Sequence, residues 1–381
     1  MVNIAFTGGG TGGHIYPGLA VAACLKGMGD FRLFWIGSSA GMDRSIVEKA
    51  GLEFYGVPAG RLRRYFSLKT VPDMFRIPAG FFAARSLLKK LRPVLLFSKG
   101  GFVSVPPCAA AASLGIPVFT HESDFSPGLA TRLNLRFAAR TGGRIFTAYS
   151  EMASFLPPPY RNLLIVSGNP VRPEFRNADP AKGRAFLGVG EGDRLLLVLG
   201  GSQGARELNN LVRESLPELT RLFVVVHQTG AGNECAPPSE RYRPYPYFGE
   251  EMPQVLAAAD LVLCRAGAGT VYENAVLGRP MILAPLRGSG TRGDQVENAR
   301  FFEKAGAALV LPPEPKAETL LEAAAGLAAD RDRLAHMASA AARIGETDGA
   351  LFIARTLAGA AGGSPSGTAA KALAGRSGGR V

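Results

Sequence analysis

Apolar residues along this chain fall into short runs separated by Gly, Pro and polar residues. Runs at 2–6, 32–36, 94–97, 118–120 and 163–166 in the first half have the length and continuity of strands buried on both faces of a parallel sheet. Runs at 195–199, 222–226, 261–264, 281–284 and 308–311 repeat that pattern in the second half. Helical patterns lie between them, clearest at 16–28 and 206–216, and parallel strands need such crossovers. The predicted class is therefore α/β. Each half opens with a strand, a glycine-rich loop (7–13 and 200–204) and a helix. This internal echo predicts two Rossmann-like parallel-sheet lobes with a cleft between them, with ligands bound outside the carboxyl ends of the strands.

The length of 381 residues fits two domains and a short remainder. The turn-forming stretch Ser167-Gly168-Asn169-Pro170-Val171-Arg172-Pro173 is the expected linker, which divides the chain into lobes 1–168 and 169–348. A helix at about 349–360 is expected to cross back onto the first lobe, and 361–381, rich in Gly, Ala and Ser without apolar periodicity, is expected to be disordered. With 47% apolar and 19% charged residues, collagen-like, mucin-like and coiled-coil classes are excluded.

Charge changes the picture by its location. Of a net +12, residues 61–100 hold ten basic side chains (Arg61, Arg63, Arg64, Lys69, Arg76, Arg85, Lys89, Lys90, Arg92, Lys99) against Asp73, and the tail adds Lys371, Arg376 and Arg380. A localised positive field implies a polyanionic partner, either nucleic acid or an anionic membrane surface. The cluster is interleaved with Leu62, Tyr65, Phe66, Leu68, Met74, Phe75, Ile77, Phe81, Phe82, Leu87 and Leu88, which suits an interfacial membrane patch better than a phosphate track. The competing expectation is that these apolar residues are simply core. No apolar run approaches the ~18–20 residues that span a bilayer and no cleaved leader is recognisable, so the expected place is cytoplasmic, soluble or peripheral. Four dispersed cysteines (Cys24, Cys108, Cys235, Cys264) read as reduced thiols in or near the core.

Candidate chemistry sits in the loops. Gly8-x-Gly10-x-x-Gly13 lies between a strand and a helix, but the second strand ends in Gly37, Ser38 and Ser39, where a nicotinamide site needs an acid about 20 residues on. An anion or a crowded acceptor suits the loop better than NAD. His14, which closes it, is a candidate general base, the alternative being a His that only hydrogen-bonds the loop backbone. His121-Glu122-Ser123-Asp124 follows another strand, with helix capping by Ser123 or Asp124 as the plainer role. In the second half, Cys264-Arg265-Ala266-Gly267-Ala268-Gly269-Thr270 leads into a helix bearing Glu273. Small residues at a helix start admit a pyrophosphate, and a carboxylate one turn in accepts both hydroxyls of a ribose. Ser202 offers phosphate a hydroxyl, and Arg292–Ala299, with Asp294 and Gln295, offers groups that read sugar hydroxyls unless Asp294 only caps. Asp330-Arg331-Asp332 reads as a solvated helical face, and nothing else has metal-ligand spacing.

Gly8-Gly9-Gly10-Thr11-Gly12-Gly13-His14, Gly200-Gly201-Ser202-Gln203-Gly204-Ala205 and 265–273, in this order, resemble the MurG family of peptidoglycan N-acetylglucosaminyltransferases over residues 1 to about 358. The resemblance implies a GT-B fold, UDP-GlcNAc as donor, an undecaprenyl-linked lipid acceptor, inversion at the sugar, no cofactor and peripheral attachment to the cytoplasmic membrane face. It implies that Thr11, Gly12 and Gly13 form a loop serving donor and acceptor, Asp124 the acceptor side, and His14 the proton transfer. Arg172, Ser202 and Gly249 then meet the nucleotide, Ala268, Gly269 and Thr270 the pyrophosphate, Glu273 the ribose, and Gln295 the GlcNAc. Asp124, Gly249, Gly269 and Asp294 depart from the residues usual at those places. A UDP-sugar transferase acting on diacylglycerol and a basic nucleic-acid-binding protein are the alternatives.

Overall fold

The computed structural model describes residues 1–60, 70–201, 204–233, 235–288 and 293–362, with only the backbone for 70–74. Arg61, Arg63, Arg64, Lys69, Ser202, Arg292 and the tail with Lys371, Arg376 and Arg380 lie outside the described residues, as do Leu62, Tyr65, Phe66 and Leu68. Two compact units are present, Met1–Arg172 together with the chain from Asp348, and Pro173–Thr347. The division falls at the end of the Ser167–Pro173 segment.

The first unit holds a parallel sheet of β1 (Val2–Thr7), β2 (Phe31–Ser38), β3 (Glu53–Val57), β4 (Leu95–Ser98), β5 (Val118–Glu122), β6 (Ile145–Thr147) and β7 (Leu164–Val166), in the order β3-β2-β1-β4-β5-β6-β7. The second holds β8 (Leu195–Leu199), β9 (Val224–Gln228), β10 (Tyr242–Tyr245), β11 (Leu261–Cys264), β12 (Met281–Leu283) and β13 (Ala308–Val310), in the order β10-β9-β8-β11-β12-β13. Both sheets reverse their winding beside their first strand, between β1 and β4 and between β8 and β11. Loops leaving those strands diverge to opposite faces, which opens a crevice at the carboxyl edge. The two glycine loops leave β1 and β8, so the winding itself brings them to these crevices.

The first core joins Ile4 and Phe6 of β1, Trp35 of β2 and Phe97 of β4 to helix Tyr16–Lys26 and to the returning helix Gly349–Ala360. Asp348 caps that last helix by accepting from the Leu351 N–H at 3.0 Å. Its fully buried Ile353 and Leu357 each contribute roughly 1.5–3 kcal/mol of apolar burial.

Several expected boundaries move. The helix expected at 206–216 continues through Pro217 to Leu222, because Leu208, Leu211, Val212 and Leu219 form one buried stripe that outweighs the hydrogen bond lost at proline. The strand expected from 222 therefore starts at Val224. Of the cysteines, Cys108 and Cys264 are buried, with burial pushing each thiol up to about 12, and Cys24 is half-buried. Cys235 is exposed in the loop between β9 and β10, not in the core. Asp330 does not sit within a helical face but caps helix Arg331–Gly345, accepting from the Arg333 N–H.

Candidate active site

In the first unit the glycine loop is held from two sides. The Gly10 N–H donates to Oδ1 of the buried Asp43 at 3.1 Å, and the Ser38 N–H donates to Oδ2 at 3.1 Å. From beneath, the Trp35 indole donates to the Gly8 carbonyl at 3.1 Å. Gly10 has φ 86° and a Cβ there would lie 2.6 Å from the Phe102 ring, so only glycine fits. The chain then makes one tight turn, Gly12–His14, and enters helix Tyr16–Lys26 with Pro17 in its first turn. Thr11 and Gly13 are exposed, and Gly12 and His14 half-buried.

His14 owes its place to a second glycine pair. Gly100 and Gly101, which follow β4 across the winding reversal, have φ 89° and 78°. A Cβ on Gly101 would lie 2.9 Å from Cδ2 of His14 and 2.7 Å from the Gly9 carbonyl. The imidazole thus rests where side chains are missing, at the carboxyl edge of the sheet.

The cluster expected at 121–124 is largely internal. Glu122 is 6% exposed and accepts from the Ser123, Asp124 and Gly128 N–H groups and from the Thr131 hydroxyl, at 3.0, 3.2, 3.0 and 2.6 Å. Helix Leu129–Arg140 starts from Gly128 without a side-chain cap, so neither Ser123 nor Asp124 caps it, and Glu122 instead holds the Gly128 N–H and the Thr131 hydroxyl at its start. His121 lies against the Gly168 carbonyl at 3.1 Å through Nε2, and the Ser123 hydroxyl donates to Oδ1 of Asn169 at 2.5 Å. Burial and the Lys99 charge hold His121 well below the ordinary histidine range. Lys99 is 2% exposed, and burial lowers its pKa against the raising influence of Glu122 and Asp124. Asp124 is half-buried at the rim of this cluster.

In the second unit, Gly200, Gly201 and Gly204 leave β8, and a Cβ on Gly204 would overlap the Thr229 carbonyl. Helix Ala268–Val276 starts three residues after β11, and its N-cap Gly267 brings no side-chain acceptor to the first turn. Arg265 fixes the approach, donating to the Ala284 carbonyl and pairing with Glu207 at 2.7 Å. Glu273 is half-buried one turn further along. Gln295, in the first turn of helix Asp294–Lys304, accepts from the Leu286 N–H at 2.9 Å, which leaves its Nε2 to donate. Asp294 is not that helix's N-cap, a place taken by Gly293 with φ 79°. Phe248 is buried beside exposed Gly249 in the turn after β10. All of these groups follow the carboxyl ends of strands in one sheet. Arg172 is not among them: it closes the first unit, its guanidinium 5.1 Å over the Tyr16 ring.

Among the described residues no group of three or more His, Cys, Asp or Glu side chains is placed to hold a metal ion.

Family models match most of the chain, the N-terminal domain of glycosyltransferase family 28 over residues 4–142 and its C-terminal domain over 195–351. The chain belongs to glycosyltransferase family 28. A relative from Treponema denticola is 47% identical, covering 93% of this chain and 96% of its own. One from Treponema pallidum (strain Nichols) is 49% identical over 81% and 82%. Both are named UDP-N-acetylglucosamine–N-acetylmuramyl-(pentapeptide) pyrophosphoryl-undecaprenol N-acetylglucosamine transferase. The crystal structure of Acinetobacter baumannii MurG superposes with TM-score 0.70 at 25% identity over 93% of this chain and 99% of that one. A kitacinnamycin glycosyltransferase shares the fold with TM-score 0.70 at 16% identity, over 94% and 99%.

This glycosyltransferase accommodates two of its departures in sequence without strain. A Cβ on Gly269 would meet nothing within 4 Å, so the bulkier residue usual there has room, and a Cβ on Gly249 would meet only the flexible Glu251 carboxylate. Sequence reading missed Asp43, the Gly100-Gly101 pair and Gln228, and it counted Lys99 with the surface charge, whereas Lys99 is buried within reach of the Glu122 and Asp124 charges and adds nothing to an exposed patch. Lys99-Gly100-Gly101 carried a usable signal, a basic residue and two glycines directly after an apolar strand. Asp43 carried none, since its partner Gly10 is 33 residues away.

Proposed function

We propose that the enzyme transfers GlcNAc from UDP-GlcNAc to the 4-hydroxyl of the MurNAc residue in undecaprenyl-pyrophosphoryl-MurNAc-pentapeptide, with inversion at the anomeric carbon. The observation that carries this reading is the 47% identity, along nearly the whole of both chains, to a relative whose name states that donor and that acceptor. The bond from the acceptor oxygen to the anomeric carbon forms as the bond to the UDP oxygen breaks. His14 takes the hydroxyl proton, and the charge left on the diphosphate is met by the start of helix Ala268–Val276 at Ala268, Gly269 and Thr270. Glu273 accepts from the ribose hydroxyls, Gln295 donates to GlcNAc through Nε2, and Ser202, Arg172 and the backbone at Gly249 complete the donor contacts. Thr11, Gly12 and Gly13 serve donor and acceptor, and Asp124 the acceptor. Incubation with labelled UDP-GlcNAc and parallel acceptors, an undecaprenyl-linked MurNAc analogue and diacylglycerol, tests this. Label is expected only in the former, and label in diacylglycerol favours the glycolipid alternative.

If Glu273 holds the ribose, Glu273→Ala weakens UDP-GlcNAc binding about 10- to 100-fold, because hydrogen bonds to a charged acceptor are lost. Calorimetry with UDP reads it directly, and unchanged affinity removes the assignment.

The second strand of the proposal is attachment to the cytoplasmic membrane face. No helix among the described residues is long and apolar enough to cross a membrane. Helix Thr70–Leu91 buries Ala84, Leu88 and Leu91 in the first unit, with Phe81 and Leu87 packed against them. Part of the aromatic-rich stretch is therefore core. Its other side presents Phe75 and Phe82, 74% and 68% exposed and seven residues apart, with Arg76, Lys89 and Lys90 also exposed. Exposed rings among cations suit an interface of apolar and anionic groups, whereas a phosphate track gains nothing from the rings. The double variant Phe75→Ser/Phe82→Ser is expected to lower binding to anionic vesicles about 10-fold or more in a flotation assay. Unaltered flotation removes the patch, and tight salt-sensitive DNA binding without flotation favours the nucleic-acid reading.

A further inference from the structure

The last residue of β9, Gln228, is buried, and both ends of its carboxamide are used. Nε2 donates to the Gly201 carbonyl at 3.1 Å, and Oε1 accepts from the Phe248 N–H at 2.9 Å. Gly201 belongs to the glycine segment leaving β8 at the winding reversal, and Phe248 to the turn leaving the edge strand β10. Neighbouring ties, such as the Thr229 and Gly230 N–H groups to the Tyr245 and Pro246 carbonyls, are backbone bonds that other side chains would leave in place. The span from loop to turn depends on residue 228 itself. It needs one donor and one acceptor at the end of a side chain of this length: Asn is a methylene shorter, and Leu has neither group.

We propose that Gln228 is a positioning residue that keeps the phosphate-facing loop at Gly201 in register with the base-facing turn at Phe248 and Gly249. This rests on the second unit being the UDP site. Two loops that each grip one end of a nucleotide gain from the covalent link between those ends only while the spacing of the loops matches the ligand. A side chain bonded to both fixes that spacing before the ligand arrives.

The test is titration calorimetry of the full chain with uridine and with UDP, for wild type, Gln228→Leu and Gln228→Asn. A reduced folded fraction weakens both ligands by one common factor, so the ratio of the two affinities reports register and not stability. In Gln228→Leu, UDP is expected to weaken about 10- to 100-fold and uridine about threefold, so that the advantage of UDP over uridine shrinks about tenfold. Gln228→Asn shifts it the same way by less, and in both variants KM for UDP-GlcNAc rises while kcat stays within about threefold. A ratio within about twofold of wild type, in whichever variant keeps the wild-type circular dichroism, overturns the proposal. Failure of the wild-type chain to bind UDP overturns the nucleotide reading beneath it instead.

Discussion

His14→Ala is expected to lower turnover by about 10²–10⁴ while leaving UDP affinity unchanged. The size follows from the loss of a proton acceptor at the attacking hydroxyl, and the unchanged affinity from the assignment of the nucleotide to the second unit. The substitution is clean because the tight turn Gly12–His14 is closed by backbone groups, the His14 N–H on the Thr11 carbonyl at 3.0 Å, which alanine keeps. What disappears is the ring resting on Gly100 and Gly101. Two measurements accompany turnover: the melting temperature, expected to stay put, and rescue by added imidazole, expected to return part of the rate. Near-wild-type turnover in the variant eliminates the general-base role. The same loss without rescue and with a lowered melting temperature assigns the ring to packing.

That a histidine at this place was legible in the sequence, and its support was not, has a physical cause. A glycine loop is a local feature: its backbone needs are written in consecutive residues after an apolar run, and both loops stand out that way. The groups that hold the loops come from afar, Asp43 to Gly10 and Asn169 to Ser123 across 33 and 46 residues. The strands show the same division. β2, β5 and β9 each run two residues past their apolar runs, to Ser38, Glu122 and Gln228, because buried polar residues at the carboxyl edge find hydrogen-bond partners there. The apolar signal stops where the site begins. Strands β6, with three residues, and β10, interrupted by Pro244, carried too little pattern to be seen at all. The two-lobed α/β class survives such omissions because it rests on the repeated unit of strand, loop and helix, not on any one strand.

The second large effect concerns stability. Glu122→Ala is expected to destabilise the first unit by roughly 3–5 kcal/mol, the range for breaking one side of a buried charged arrangement. Alanine strands the Ser123, Asp124 and Gly128 N–H groups and the Thr131 hydroxyl, and removes one of the two carboxylates, Glu122 and Asp124, whose charge acts on buried Lys99. The chain's single tryptophan, Trp35, is fully buried in this unit, so its fluorescence in urea follows the relevant transition. A shift below about 1 kcal/mol sinks the view of Glu122 as the centre of the cluster. Glu122→Gln separates charge from hydrogen bonding, and pH gives the sign. Burial pushes the Glu122 carboxyl up, but the Thr131 hydroxyl, the Lys99 charge and the Gly128 and Asp124 N–H groups outweigh it and hold the group below its ordinary value of 4.5. A carboxyl depressed in the folded state contributes stability that is fully present above the unfolded value and is lost as pH falls through the folded one. Wild type should therefore lose stability progressively below about pH 4.5, with a steeper acid limb than Glu122→Gln. Lys99, lowered by burial, acts at the other end, where the unfolded chain holds the extra proton and stability rises with pH toward the ordinary ammonium value. Equal acid limbs in wild type and Glu122→Gln would mean that folding does not depress the Glu122 carboxyl, so that neither its hydrogen bonds nor the Lys99 charge favours the ionised form.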